Sequence, residues 1–121
     1  MKFLQIFALL TVSLHAETVR NLKYDSKHER NTLDFYPALK KGEKPAPVFV
    51  WFHGGGFRNG DKNQIEKYGR PTLEKYQKAG YAVVSCNYPF LGKDMEYRDI
   101  VDHCGRAVKF VRSQSKSWNI D

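Results

Sequence analysis

Cysteine is scarce in this sequence: Cys86 and Cys104 are the two in 121 residues. They form no C-x-x-C, and no His/Cys pairing has zinc spacing, so no structural metal site is expected. Charge of one sign is nowhere concentrated. The formal net charge is +7 at pH 7, yet the densest basic runs are only Lys40-Lys41 with Lys44, in a Gly/Pro-containing stretch, and Lys75 with Lys78 on a predicted helix. Acidic residues interleave throughout. Nucleic-acid binding calls for clustered cations; scattered lysines read as a solvated face, and no nucleic-acid partner is expected. A long apolar run is also missing. The stretch Phe3 to Val12 (FLQIFALLTV) falls short of the about 20 residues of a membrane-spanning helix, so no stable membrane anchor is expected. There are no internal repeats.

That apolar stretch fits a different role. Lys2 precedes it, Ala16 ends the following Ser13-Leu14-His15-Ala16, and Glu17 comes next. A charged start, a short apolar centre and a small-residue exit make a secretory signal peptide. Residues 1–16 are therefore read as a signal peptide cleaved after Ala16, giving a secreted or periplasmic protein, and residues 17–121 as the domain. An exported chain could oxidise its cysteines. Cys86 is expected in a strand and Cys104 on a helix packed against it. Those layers lie about 10 Å apart, and a disulfide needs Cα atoms within about 7 Å. Two buried thiols are expected rather than a bridge.

Short strands are predicted over Thr18–Tyr24 and Thr32–Tyr36, where Leu33 and Phe35 alternate with Thr32 and Asp34. A polar turn joins them, and Pro37 stops the second. After the charged loop Lys40–Pro47, the five apolar residues Val48-Phe49-Val50-Trp51-Phe52 predict a strand buried on both faces of a parallel sheet. Asn63 with Glu66 is set to cap a short helix. Pro71 opens and Gly80 closes a second helix, with Leu73, Tyr76 and Ala79 inward. Tyr81–Cys86 reads as another buried strand, ended by Asn87-Tyr88-Pro89. Asp94 is expected to cap the last helix, whose stripe of Tyr97, Ile100, Val101, Cys104, Ala107, Val108 and Val111 has a 3.6-residue period, with Gly105 allowing close contact to the sheet. The order β-β-β-α-β-α implies an antiparallel start followed by a right-handed parallel unit.

Chemistry concentrates in His53-Gly54-Gly55-Gly56-Phe57, directly after the apolar strand. Three successive glycines carry a large entropic cost on folding. They make sense where backbone must come close to a ligand with its N–H groups pointing outward. Acyl transfer needs such donors, because the carbonyl oxygen becomes an oxyanion, and removing one donor costs roughly 3–4 kcal/mol of barrier. A plain Gly-rich turn and an anion-binding nest are the alternatives; the Lys-Ser/Thr of a P-loop and the dinucleotide-binding spacing are both missing.

An HGGG segment after the third strand resembles the oxyanion loop of esterases with the α/β-hydrolase fold, in the carboxylesterase and acetylesterase-like branch. Other segments are similar too: Thr32–Pro37 (TLDFYP) to an early LDxYxP strand, His53–Lys62 (HGGGFRNGDK) to the loop and its following turn, and Gly80–Pro89 (GYAVVSCNYP) to the next strand. Asp99–Arg112 and Trp118–Asp121 resemble the helix toward the nucleophile strand and its exit. In the family Asn-Tyr is often followed by Arg; here Pro89 stands in that place. The resemblance implies an α/β fold, as the N-terminal portion of an α/β-hydrolase sheet (antiparallel start, then parallel β-α-β-α). It implies that the N–H groups of Gly55 and Gly56 are the oxyanion donors, that Gly54 shapes the turn, that His53 braces the loop, and that Phe57 lines the pocket wall or packs beneath it. It implies no cofactor. The substrate would be a small-molecule ester or an acylated carbohydrate.

The family's G-x-S-x-G nucleophile turn does not occur in these residues. Ser26, Ser85, Ser113, Ser115 and Ser117 lack flanking glycines, and His103 with Asp99 on one helix face is expected to be a surface pair rather than a catalytic one. The 121 residues are thus expected to be a truncated, inactive portion of a serine ester hydrolase. A non-catalytic secreted module and an inactive remnant on the same fold are the competing readings. The coding sequence downstream of Asp121 separates them, since an in-frame strand followed by G-x-S-x-G supports the hydrolase. Export is checked separately: in an exporting host the mature chain should begin at Glu17, as read by intact mass, and extracellular soluble protein that still begins at Met1 would refute the signal peptide.

Overall fold

The computed structural model describes residues 17–40 and 42–121; the signal peptide read over 1–16, and Lys41, lie outside the described residues. Seven elements follow in order: β1 Val19–Lys23, β2 Thr32–Tyr36, β3 Val48–Phe52, α1 Gln64–Lys67, α2 Arg70–Lys78, β4 Ala82–Cys86 and α3 Tyr97–Ser113. The strands form one mixed sheet in the order β1-β2-β4-β3. β1 pairs antiparallel with β2 and β2 antiparallel with β4, while β3 and β4 run parallel in register from Val48↔Ala82 to Phe52↔Cys86. The expected antiparallel start and parallel unit are both present, with α1 and α2 inside the β3-to-β4 crossover.

Period-two alternation in the central strands sorts their side chains onto two covered faces. On one face Leu33, Phe35, Ala82, Val84 and Cys86 meet Ala107 and Val111 of α3, with Phe35 stacked on Trp118 at 4.2 Å. On the other, Tyr36 and Val83 meet Ile65 of α1 and Leu73 of α2, with Phe49 stacked on Tyr76 at 4.3 Å. Each large apolar side chain fully buried this way contributes about 1.5–3 kcal/mol. The Leu33/Asp34 alternation therefore divides two buried faces, and Asp34 is only 1% exposed.

Several local expectations are corrected. β3 is an edge strand among the described residues, and all five of its side chains are only partly buried. Asn63 precedes α1 without a side-chain cap; Asp61 Oδ1 accepts the Asn63 N–H at 2.9 Å instead, and Glu66 accepts from the Tyr36 hydroxyl at 2.6 Å. In α2 the inward position expected for Ala79 belongs to Gln77, which donates to the Pro37 carbonyl at 2.8 Å, while Ala79 is exposed. The cap of α3 is Glu96, not Asp94, and Asp99 accepts the Glu96 N–H at 2.9 Å. Tyr97 and Val101 face outward from α3, so its buried stripe is Ile100, Ala107 and Val111. Gly105 is exposed, with open space where a Cβ would sit, so it makes no close approach to the sheet. Both thiols are free, Cys86 buried and Cys104 only partly so, and burial pushes the Cys104 thiol up to about 11.

Candidate active site

The loop after β3 starts from one buried residue and then runs through exposed backbone. His53 is 2% exposed, and Gly54 to Asn59 face solvent. Two carbonyls of this loop are captured from the protein side. His53 Nδ1 lies 2.8 Å from the Gly54 oxygen, and the Arg58 N–H donates to the Gly55 oxygen at 3.1 Å. The peptide bonds are trans, and a trans peptide holds its C=O and N–H on opposite sides. Holding the Gly54 and Gly55 carbonyls therefore turns the N–H groups of Gly55 and Gly56 the other way. Among the described residues neither N–H has a protein acceptor. The result is two adjacent, aimed, unsatisfied donors at the C-terminal end of a parallel strand, where ligands bind in open α/β sheets.

Two glycines are required by this geometry. Gly55 has φ +130°, and a Cβ there would lie 2.0 Å from the Asn59 oxygen. Gly60 has φ +108°, and a Cβ there would lie 2.4 Å from His53 Nδ1 and 2.5 Å from the Gly54 oxygen. Gly60 is what lets the end of the loop fold back on its beginning. Phe57 is a non-glycine residue at φ +61°, a conformation costing about 1–2 kcal/mol. Its carbonyl accepts the Leu91 N–H at 2.8 Å, and its partly exposed ring packs on Tyr88 and Tyr97, each 5.6 Å away.

His53 is held from all sides. Its ring stacks on Tyr88 at 4.4 Å, and the Tyr88 hydroxyl donates to the His53 carbonyl. Burial pushes that phenol pKa up, keeping the donor protonated. Arg30, from the β1–β2 loop, reaches the same place: Nε donates to the Tyr88 carbonyl at 2.9 Å, Nη2 donates to the Gly60 carbonyl at 3.1 Å, and Nη2 lies 3.3 Å from His53 Nε2. The guanidinium also covers the Phe90 ring at 3.8 Å. Burial lowers the His53 pKa and outweighs the Gly54 hydrogen bond, which raises it; the Arg30 charge adds a smaller lowering and Asp61 a smaller opposing effect.

The loop's far end is tied to the sheet by Asp61-Lys62. Lys62 Nζ meets Asp34 Oδ1 at 3.0 Å with both side chains buried, and donates to Asn21 Oδ1 at 2.7 Å. Asp34 Oδ1 also accepts the Asn21 N–H at 2.8 Å. The Lys62 backbone is bound twice: its N–H donates to Asn87 Oδ1 at 2.8 Å, and its carbonyl accepts from Ser85 Oγ at 2.7 Å. Asn87 Nδ2 reaches Asp61 Oδ2 at 3.2 Å. Ser85 is thus a buried support inside β4.

The remaining sequence candidates lie apart from the loop. His103 Nδ1 pairs with the Asn31 amide at 2.9 Å, and Asp99 serves the start of α3. Ser113, Ser115 and Ser117 are exposed. The larger cavity, about 750 Å³, opens beside Pro47, Ala82 and Trp118 at the N-terminal ends of the parallel strands, away from the glycines. A shallower one of about 570 Å³, lined by Arg58, Leu91, Met95 and Tyr97, flanks the loop. Arg30, Gly60, Lys62 and Asn87 belong to the site as well, and none of them is a site candidate on sequence alone. Gly60 and Lys62 stand inside the HGGGFRNGDK segment and Asn87 inside GYAVVSCNYP, whereas Arg30 carries no such signal.

The Lys62–Asp34 pair gives a direct stability test. Removing one partner of a buried pair leaves an uncompensated charge and costs about 3–5 kcal/mol. Lys62→Met should lower the unfolding free energy read by denaturant titration by that amount, and adding Asp34→Asn should cost less than the sum of the two changes. A loss for Lys62→Met no larger than that of an exposed pair, below about 1 kcal/mol, would contradict the buried-pair account.

Comparison with known proteins shows what the fold is similar to. Esterase B from Lactobacillus rhamnosis has a solved structure matching with a TM-score of 0.69 at 23% identity, over 87% of this chain and 33% of that one. A carbohydrate esterase from gut microbiota, in truncated form, matches at 0.69 and 21% identity, over 88% and 36%. The propionate-bound esterase Est2 of Thermogutta terrifontis matches at 0.62 and 22%, over 87% and 37%. The chain spans about a third of the length of these structures, and the likeness shows the fold. No match is found among the curated proteins. The BD-FAE family model, that of an α/β-hydrolase-like esterase family, matches residues 33–121, from β2 through the glycine loop and α3 to Asp121, and the chain belongs to that family.

Proposed function

We propose that these residues are the N-terminal portion of an exported serine ester hydrolase working through an acyl-enzyme, and that they supply its oxyanion hole. The observation that carries this reading is the pair of unpaired N–H groups at Gly55 and Gly56, aimed by capture of the carbonyls that precede them. When a nucleophile attacks an ester carbonyl, negative charge gathers on one oxygen. Two preset donors then stabilise it without reorganising. Family membership and the esterase neighbours support the ester as substrate. The carbohydrate esterase among them supports acylated carbohydrates beside small-molecule esters. Phe57 would form part of the wall beside the oxyanion. No cofactor enters such chemistry.

The nucleophilic serine, its histidine and the acid would come from the rest of the protein. Ser85 is unsuited to the role, because its hydroxyl is buried and donates to the Lys62 carbonyl. By this reading the 121 residues alone are inactive. The leader over 1–16 would deliver the protein outside the cytoplasm, with Glu17 as its first mature residue.

Steady-state kinetics of glycine variants in the full-length enzyme test the reading. Gly56→Val is the cleaner change, because a Cβ there meets nothing within 4 Å and the cost is confined to φ +63°. Gly55→Ala adds the clash with Asn59. Both should lower kcat by roughly tenfold to a thousandfold with a smaller change in KM, as expected when stabilisation exists only in the transition state. His53→Ala should lower kcat and also melt earlier, because it loosens the loop. Folded glycine variants that keep wild-type kcat would reduce the loop to a turn.

A further inference from the structure

Hydrogen-bonding logic around His53 assigns a role to Arg30. A guanidinium has donors and no acceptor. An Nη2 group 3.3 Å from His53 Nε2 therefore calls for a lone pair on Nε2. A neutral imidazole with that lone pair carries its proton on Nδ1, where it can donate to the Gly54 oxygen 2.8 Å away. That bond fixes the Gly54–Gly55 peptide plane and hence the direction of the Gly55 N–H. The opposite tautomer would set a ring N–H against the guanidinium and a lone pair against a carbonyl, repulsive at both nitrogens.

We propose that Arg30 is a positioning residue for the oxyanion loop: its guanidinium selects the Nδ1–H tautomer of His53, which pins the Gly54 carbonyl and so aims the Gly55 N–H. The proposal rests on reading Gly55 as an oxyanion donor. The guanidinium also spans three backbone segments that the loop must bring together: the end of β3 through His53, the end of the loop through Gly60, and the exit of β4 through Tyr88. Its own orientation is fixed over Phe90. The charged and titratable groups facing His53 are Arg30, Asp61 and the Tyr88 phenol. Arg30 opposes protonation of the ring and Asp61 favours it.

The experiment compares wild type, Arg30→Met and Arg30→Lys in the full-length protein by ¹⁵N NMR of the His53 ring across pH, together with kcat and KM. Wild type should show the Nδ1–H form alone and should resist protonation below the ordinary value of 6.5. In Arg30→Met the second tautomer should appear, the titration should move up toward 6.5, and kcat should fall roughly tenfold or more with KM much less affected. Arg30→Lys keeps the positive charge but loses the fork, so it should retain most of the lowered titration while mixing tautomers and losing part of kcat. It carries the same readouts if the methionine variant does not fold. An unchanged His53 spectrum in a folded variant overturns the proposal whatever the activity. A changed spectrum with wild-type kcat, while Gly56→Val is impaired, overturns the aiming role and leaves the oxyanion reading standing. Wild-type kcat in the arginine and glycine variants alike overturns both.

Discussion

An ammonium and a carboxylate that have both left water are stable only together, and the Lys62–Asp34 pair imposes that condition on the molecule. Asp34 is 1% exposed in the middle of β2, and Lys62 is 7% exposed just beyond the glycine loop. Desolvation costs several kcal/mol per ion, returned only when the remaining polar valences are filled. Here Asn21 fills them, giving its N–H to Asp34 and its side-chain oxygen to Lys62. The Lys62 main chain is then clamped by Asn87 and Ser85 at the C-terminal end of β4. One charge pair thus fixes where the loop ends relative to three strands.

With its end fixed there and its start fixed by buried His53, the loop has little freedom left. Its own carbonyls supply the remaining constraint. A backbone N–H buried without an acceptor would cost about as much as a lost hydrogen bond, but the donors at Gly55 and Gly56 face solvent, so keeping them unpaired is cheap. The strain is taken elsewhere, in the positive φ of Phe57 and in close approaches that only glycine allows at positions 55 and 60. A rigid anchor beside exposed, preset donors is an arrangement suited to stabilising charge that appears only during reaction.

The parts legible in the sequence were those written in local pattern. The apolar runs at Val48–Phe52 and Tyr81–Cys86, the period of α3 and the glycine triplet each state their element within a few residues. What stayed hidden depends on long-range pairing. β4 lies between β2 and β3, an order that no local window contains, and this order gives the Asp34 side of β2 a cover of its own. For the same reason nothing in the local sequence marks Lys62 as a buried partner of Asp34. Arg30 sits in a polar turn 23 residues before His53 and meets it because β4 pairs with β2 on one side and β3 on the other. The capping errors at Asn63 and Asp94 have a different origin: several acidic or amide residues crowd each helix start, and tertiary contacts, such as Tyr36 on Glu66, decide which of them serves.

The central claim concerns where an oxygen sits, so it is tested most directly by a crystal structure of the full-length protein after reaction with a phosphonate ester, whose tetrahedral phosphorus mimics the intermediate. The expected result is a phosphonyl oxygen within roughly 2.7–3.1 Å of both the Gly55 and Gly56 nitrogens, with His53 Nδ1 still on the Gly54 carbonyl. A phosphonyl oxygen bound by other donors, with the Gly55 and Gly56 N–H groups left facing solvent, would contradict it.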